Sequence, residues 1–406
     1  MNNLHRRFQC ITDMETAAAR RMPGFVHDYL VGGLGRESSV RRNVEALDAV
    51  ELMPRYLSEA PSPDMSVTLY GKRFDAPFAV APLGLAGLLW PGSEVPLAEA
   101  ARAHNIPHVL STFANRAMET IGPIVGDNGW LQFYPPNDPE IEADMIGRAK
   151  RAGYGTLVLT VDIPAPTRRE RDIRNGMSVP PILDARTMFQ IATHPHWASH
   201  ILRHGIPDFE NLSPYYPKGS SLKQSAEFVG RVMTGHVGAD RVRRIRDAWN
   251  GKLLVKGVLD VSEAEAYLAL GADGLIVSNH GGRQLDAAPT AVSVLPGIRR
   301  ALGPDALVMA DGGIRSGLDV ARMLALGANF VLIGRPFVFA SAAIGAAGGD
   351  HLMTILKAEL SATMAQLGCR SVADLPSFLH LVRFRNWEPV SGDTHKHKGL
   401  KRGKRI

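Results

Sequence analysis

Along the 406-residue chain, short runs of Val, Ile, Leu and Phe recur, each closed by Gly, Pro, Asn or a polar residue and most followed by a stretch with helical spacing. Eight such runs stand out, at 77–81, 108–112, 130–134, 156–162, 253–258, 274–279, 307–313 and 330–336. A continuous apolar run of this length suits a strand covered on both faces, and its alternation with helices suits βα units around a parallel sheet. Eight units predict an α/β architecture, a closed (β/α)8 TIM barrel with an N-terminal helical cap and a long insertion after strand 4.

The intervening segments agree with this. Residues 95–103 contain few breakers, while 261–270 and 317–326 place Ala and Leu at helical spacing and stop at Gly271 and Gly327, a helix end ahead of the next strand. Only the gap between the fourth and fifth runs is too long for one βα unit. Residues 163–252 are therefore expected to form an insertion above one rim, with Pro180, Pro181, a His- and Trp-bearing segment at 194–204 and a polar run at 214–221. Loops of that length usually act as lids or binding segments, or stay disordered. Residues 1–76 are expected to supply helices covering the barrel bottom or edge. The barrel unit is read as 1–385 and the remainder, 386–406, as a basic tail.

Composition removes several classes. With 45% hydrophobic and 21% charged residues, 40 Gly, 27 Pro and two Cys, the chain is neither disordered, collagen-like nor a disulfide scaffold. Cys10 and Cys369 sit at opposite ends without CxxC spacing or a His cluster, so no metal site is expected and a reducing compartment fits. The formal charge of +6 is matched by the six Lys and Arg of 395–406, so the basicity is a tail rather than a face and no specific nucleic-acid partner is expected. The longest uncharged stretch, 76–93, is broken by Pro77, Pro82 and Pro91, and no apolar signal-peptide core follows the N-terminal arginines. A cytoplasmic location is expected.

In a (β/α)8 barrel the chemistry sits at the C-terminal strand ends. Here those ends carry Leu83-Gly84, Ser111, Gln132 and Tyr134, Thr160 and Asp162, Lys256, Ser278 to Arg283, Asp311 to Arg315, and Gly334-Arg335. Asp311-Gly312-Gly313-Ile314-Arg315 and Gly334-Arg335-Pro336 bring close-approach glycines and two cations to the corner that commonly holds a phosphate; the alternative is that these glycines only end strands. His280 lies between glycines and Asn279 at the rim, where an imidazole accepts a proton near neutral pH, and Arg283 can hold a carboxylate through a fork of hydrogen bonds. A lone His is more often structural, but its place at the rim favours catalysis. Asp162 would pair with the charged form of His280 if the barrel joins them; otherwise it is an ordinary surface acid. Which of Arg168, Arg169, Arg171 and Arg174 faces inward is not set by spacing. Lys256 ends an apolar strand and so needs an anionic partner.

Ser278-Asn279-His280-Gly281-Gly282-Arg283-Gln284, with Leu254-Val255-Lys256-Gly257 upstream and Asp311-Gly312-Gly313-Ile314-Arg315 downstream, resembles the FMN-dependent 2-hydroxy acid dehydrogenases and oxidases. The resemblance runs from about residue 23 to beyond 371. It implies FMN as cofactor, a 2-hydroxy acid as substrate, His280 as base with Asp162 and Tyr134 beside it, and Arg169 and Arg283 on the substrate carboxylate with Tyr29 and Tyr134. Lys256 would lie at the flavin N1 and O2 edge; Ser111, Gln132, Thr160, Ser278 and the backbone at Leu83-Gly84 would contact the ring system. The corner formed by Asp311, Gly312, Gly313, Arg315, Gly334 and Arg335 would take the phosphate. Three positions depart from the pattern: Leu83 stands for a frequent Thr or Ser, Thr167 for a Gly before the arginine pair, and Pro135-Pro136 directly follow Tyr134.

Gly87-Leu88-Leu89-Trp90-Pro91, 194–197 and 203–207 are most similar to the (S)-mandelate dehydrogenase branch, whereas 41–44 and 175–178 are closer to bacterial L-lactate dehydrogenases. The expected reaction is oxidation of a mandelate-like (S)-2-hydroxy acid to the 2-oxo acid, with L-lactate as the alternative substrate. Gly84 resembles the dehydrogenase branches, and the acceptor is left between a quinone and O2. Family precedent implies a homotetramer, and a peripheral contact of the insertion with the inner face of the cell membrane stands beside a soluble lid. The alternative of another class is a non-enzymatic barrel whose basic tail binds an anionic partner.

Overall fold

The structure, a computed structural model, describes residues 3–57, 62–165, 167–177, 182–233 and 236–382. Eight parallel strands close into a barrel in chain order: β1 (Phe78–Val80), β2 (His108–Ser111), β3 (Gly129–Phe133), β4 (Thr156–Thr160), β5 (Lys252–Val258), β6 (Gly274–Val277), β7 (Val308–Asp311) and β8 (Phe330–Ile333), with β8 pairing back onto β1. All eight expected runs are strands.

Two-residue periodicity builds the interior and then the site. Successive side chains point to opposite faces, so residues i and i+2 share the barrel lumen. Ala79, Val109, Trp130, Val158, Leu254, Ile276, Met309 and Leu332 pack there as one apolar cluster. Two residues on, the same inward positions read Ala81, Ser111, Gln132, Thr160, Lys256, Ser278, Asp311 and Gly334. The lumen thus changes from a dry core to a polar floor within one step of the pleat.

The helices expected at 95–103, 261–270 and 317–326 are Glu94–Ala103, Val261–Ala269 and Gly317–Ala325. Asp260 accepts the amides of Ser262 and Glu263, and Ser316 that of Asp319, which satisfies donors the first helical turn would leave open.

Two expectations change. Residues before β1 do not simply cover the bottom: a hairpin, Val67–Leu69 with Lys72–Phe74, closes that end through Leu69 and Phe74, while the helix Gly24–Val31 reaches the opposite rim, where Tyr29 and Leu30 line the cavity. The insertion is also shorter than 163–252, because Ala239–Ala248 directly precedes β5 and packs through buried Val242 and Ile245 as the barrel's own helix. The insertion proper carries Ala185–Thr193, Pro195–His204 and Leu222–Val232. Strand Val50–Leu52 pairs antiparallel with Leu379–Val382, tying a segment that precedes the barrel to one that follows it. The basic tail from 386 onward, and Pro180 and Pro181, lie outside the described residues. Among the described residues, no helix is long and apolar enough to cross a membrane and no His, Cys, Asp and Glu cluster could hold a metal ion.

Candidate functional site

The polar floor opens into a cavity of about 470 Å³ at the C-terminal ends of the strands. Of the residues singled out in the sequence, Tyr29, Leu83, Gly84, Ser111, Gln132, Tyr134, Thr160, Arg169, Lys256, His280, Arg283, Asp311, Gly312, Gly313, Arg315, Gly334 and Arg335 line it. Asp162 and Ser278 do not; each stands behind a lining residue.

His280 owes its aim to its backbone. Its φ of 58° lies in the left-handed region, costly for a residue with a Cβ, and Gly281 and Gly282 continue the turn at 62° and 79°. The side chain of Asn279 holds this turn by accepting from Gly282 N at 3.2 Å and itself pairs with Asn43. His280 Nδ1 then lies 2.9 Å from Asp162 Oδ1, and Nε2 lies 3.4 Å from the Tyr134 hydroxyl. Asp162 comes so close because Gly257, at φ 106°, has no Cβ: one built there would meet the Asp162 Cβ at 2.5 Å. Burial pulls the Asp162 carboxyl upward, but the His280 charge and hydrogen bond, with Lys256, hold it below the usual carboxylate range. An ionised Asp162 accepts from Nδ1–H and leaves Nε2 as the proton acceptor facing the cavity. Burial, then the Asp162 charge, keeps the Tyr134 phenol well above its ordinary value, so its hydroxyl remains a donor.

Lys256 is the cation of the floor. Its Nζ donates to Ser278 Oγ at 2.8 Å and pairs with Asp311 Oδ2 at 2.9 Å. Burial pushes the ammonium down, yet Asp311 and Asp162 outweigh this and hold it above its usual value. Ser278 is fully buried, accepts from both Lys256 and the His280 amide, and so joins the two rather than facing the cavity. Beside them Gln132 accepts from Ser111 Oγ at 3.1 Å and donates to Thr160 Oγ1 at 3.0 Å, a continuous row of side-chain donors and acceptors across β2 to β4.

Four arginines converge on the cavity. The ring of Tyr29 lies 4.7 Å from the Arg283 guanidinium and 5.5 Å from that of Arg169. Burial, and then Arg283, Arg315 and Arg169, push Arg335 well below its ordinary value; Arg283 is lowered by burial and then by Arg169. Such crowding of buried cations is relieved by anions, and the cavity has room for them. Gly312 and Gly313 take φ of 101° and 84° beside Arg315, and the helix Arg335–Ile344 begins at Gly334 with no side-chain cap, so open backbone donors and a cation share this corner. Among the described residues the Arg315 guanidinium donates through Nη1 to Ile314 O and lies 5.9 Å from the Phe339 ring, whereas all three Arg335 nitrogens donate to the carbonyls of Leu30, Gly281 and Gly32. The floor, Asp311 Oδ1, buried with no hydrogen-bond partner among the described residues, and this corner fit a planar heteroaromatic ligand carrying a phosphate.

The sequence reading missed the apolar wall. Phe113 follows β2 and packs against Tyr134 at a tilt and against Phe209 edge-on, with ring centroids 5.2 and 5.4 Å away, and Val229 and Ala226 come from the insertion helix Leu222–Val232. The Pro135-Pro136 exit of β3 has a use in this: the next residue, Asn137, donates to Val232 O at 2.7 Å and docks that helix. Nothing in local periodicity marks these contacts, which join residues far apart in sequence.

Comparison with known proteins gives three results. The profile of a family described as FMN-dependent dehydrogenase matches residues 18–381. An L-lactate dehydrogenase of Ectopseudomonas mendocina (strain ymp) is 40% identical over 377 residues, covering 92% of this chain and 98% of that protein. Among solved structures, the monotopic membrane protein (S)-mandelate dehydrogenase is similar at a TM-score of 0.87 and 36% identity, over 92% of this chain and 99% of its own, and a mandelate oxidase with (S)-2-phenylpropionate at 0.76 and 32%, over 91% and 97%.

Proposed function

The chain belongs to the FMN-dependent dehydrogenase family, with FMN as its cofactor, and from that premise we propose that it oxidises an (S)-2-hydroxy acid with an aryl-sized apolar side chain, mandelate-like, to the 2-oxo acid. The observation that carries the substrate class is the juxtaposition in one cavity of the His280–Asp162 pair, two arginines flanking Tyr29, and the wall of Phe113, Phe209 and Val229.

In this reading FMN is held by Lys256, Ser111, Gln132 and Thr160, by the backbone at Leu83-Gly84, and by Asp311, Gly312, Gly313, Arg315, Gly334 and Arg335. FMN supplies a two-electron acceptor. Arg169 and Arg283 bind the substrate carboxylate, with Tyr29 against their planes, and so fix which face of the α-carbon meets the floor. Tyr134 donates toward the substrate oxygen, and His280 Nε2 takes the hydroxyl proton while Asp162 stabilises the imidazolium that results; the α-hydrogen and the electron pair of its bond would pass to the two-electron acceptor that FMN would supply. Lys256 places positive charge in the floor, where it would offset the negative charge that FMN would take up as a two-electron acceptor. The insertion wall excludes water and receives the side chain. L-Lactate is the second reading, favoured by the 40% identical relative.

The insertion also supports a peripheral membrane contact. Leu183, Phe189, Leu202 and Ile206 are exposed there, with Leu202 87% accessible, beside Arg186 and Arg203. A quinone in that bilayer would be the electron acceptor, with O2 as the competing one, and the protein would act as a homotetramer on the inner face of the membrane. Anaerobic absorption spectra settle the substrate: bleaching of the bound flavin by (S)-mandelate in preference to L-lactate is expected, and the reverse order would replace the first reading by the second. The rate of recolouring in air separates oxidase from dehydrogenase, and co-flotation with anionic vesicles tests the contact.

A further inference from the structure

The strap that carries Tyr29 across the cavity is gripped by arginines from three elements. Arg283 Nη1 donates to Tyr29 O at 2.7 Å and to Gly32 O at 3.1 Å; Arg335 donates to Leu30 O and Gly32 O at 2.9 and 3.1 Å. Both line the cavity. The third, Arg171, does not, and its contacts are of another kind: its Nε and Nη2 fork onto Glu37 at 2.8 and 2.5 Å, and Nη1 reaches Asp28 Oδ1 at 3.2 Å. Asn175, one turn further on, also donates to Asp28, and Glu170 accepts the Gly35 amide at 3.1 Å. Asp28 directly precedes Tyr29, and Arg171 lies two residues after Arg169.

Glu37 is the second observation. It sits at φ 57°, a conformation that penalises any residue with a Cβ and that glycine adopts freely. A side chain kept at such a position needs a return, and among the described residues the hydrogen-bond partner of the Glu37 carboxylate is the forked Arg171. The packing is tight, since a Cβ at Gly32 would meet Asp28 O at 2.6 Å and Arg171 Cδ at 3.4 Å.

We propose that Arg171, Glu37 and Asp28 form a clasp that sets the spacing between Tyr29 and Arg169, making Arg171 a positioning residue for carboxylate recognition. The inference rests on the reading of Arg169 and Tyr29 as carboxylate-binding. Geometry is the whole of its effect: Arg171 does not line the cavity, and a bidentate arginine fork restricts angle as well as distance. Displacement of a binding group by about 1 Å costs up to about 10²-fold.

The test compares Arg171→Met, Arg171→Lys and Glu37→Gly with the parent holoenzyme, using flavin content and thermal midpoint to confirm folding. Two readouts are taken: KM and kcat for the better acid of the spectral assay, and hydrogen exchange of amides in 28–37 without substrate. Arg171→Met and Glu37→Gly are expected to raise KM about tenfold or more with kcat within about threefold, and to speed exchange in the strap, while Arg171→Lys, which keeps the charge but not the fork, recovers part of both. Glu37→Gly is the discriminating variant, because it relieves backbone strain and a merely structural role predicts an unchanged or higher midpoint with unchanged KM. Unchanged KM and exchange in either Arg171→Met or Glu37→Gly overturns the clasp. Failure of the parent to oxidise any 2-hydroxy acid would count instead against the functional reading, and the exchange data would still judge whether the clasp holds the strap.

Discussion

Replacing Asp162 by Asn isolates the charge behind His280 while keeping shape and volume. Asp162 Oδ1 is 2.9 Å from His280 Nδ1, its side chain is 12% exposed, and Oδ2 is buried with no hydrogen-bond partner among the described residues. A carboxylate oxygen without a hydrogen-bond partner is costly to bury, and the charges of His280 and Lys256 are what offset that cost here. An asparagine amide keeps at most one neutral hydrogen bond to Nδ1–H, and if its NH2 turns toward the ring it forces the opposite tautomer, placing the proton on Nε2 where the base must be empty. Loss of a hydrogen bond to a charged group is worth about 1.5–3 kcal/mol, or roughly 10- to 150-fold in rate; tautomer reversal adds to this. Asp162 does not line the cavity, so flavin content and substrate affinity should hold. The assay is anaerobic rapid mixing of Asp162→Asn with saturating acid, following flavin bleaching. Bleaching within about threefold of the parent rate would refute the pairing as a catalytic device, as would a loss confined to substrate affinity.

Two further outcomes follow from buried charge. Lys256→Met strands Asp311 in the floor, where the two side chains are 5% and 10% exposed; denaturant unfolding of the apoprotein should show a loss of about 3–5 kcal/mol, much of it restored by adding Asp311→Asn, and a loss below about 1 kcal/mol would contradict the pairing. Glu94, which accepts the Asn115 amide at 2.9 Å, is held by burial up to about 7 from 4.5, against the pull of the Asn115 amide and the Arg116 charge. Its folded form keeps a proton that the unfolded chain gives up near 4.5, so its contribution is complete below that pH and is lost as pH rises through about 7. Glu94→Gln should therefore gain on the parent by roughly 3 kcal/mol between pH 4.5 and 8, read as a widening difference in unfolding free energy; a pH-independent difference would rule this out.

How much of this was legible beforehand follows from the range of the forces involved. The period-two pleat is local: once 77–81, 108–112 and the other runs are strands, parity alone puts Ser111, Gln132, Thr160, Lys256 and Asp311 above the apolar lumen residues. The glycines and arginines after β7 and β8 are equally local, because a left-handed turn and an open helix start are properties of a few consecutive residues. Asp162 and His280 were recognisable one at a time, but their meeting depends on barrel closure and on the missing Cβ of Gly257, 95 residues from Asp162.

What only the tertiary structure decided are contacts whose partners share no local signal. Ser278 does not line the cavity, since the bend after β6 turns its hydroxyl between the Lys256 ammonium and the His280 amide. Among four arginines after β4, the clasp with Glu37 and Asp28 turns Arg171 away from the cavity and leaves Arg169 beside Tyr29. The apolar wall needs the insertion helix to dock on the exit of β3. Backbone periodicity and turn chemistry are written residue by residue and so are determined by the sequence directly, whereas side-chain partners across a closed barrel are chosen by packing and charge among all elements at once.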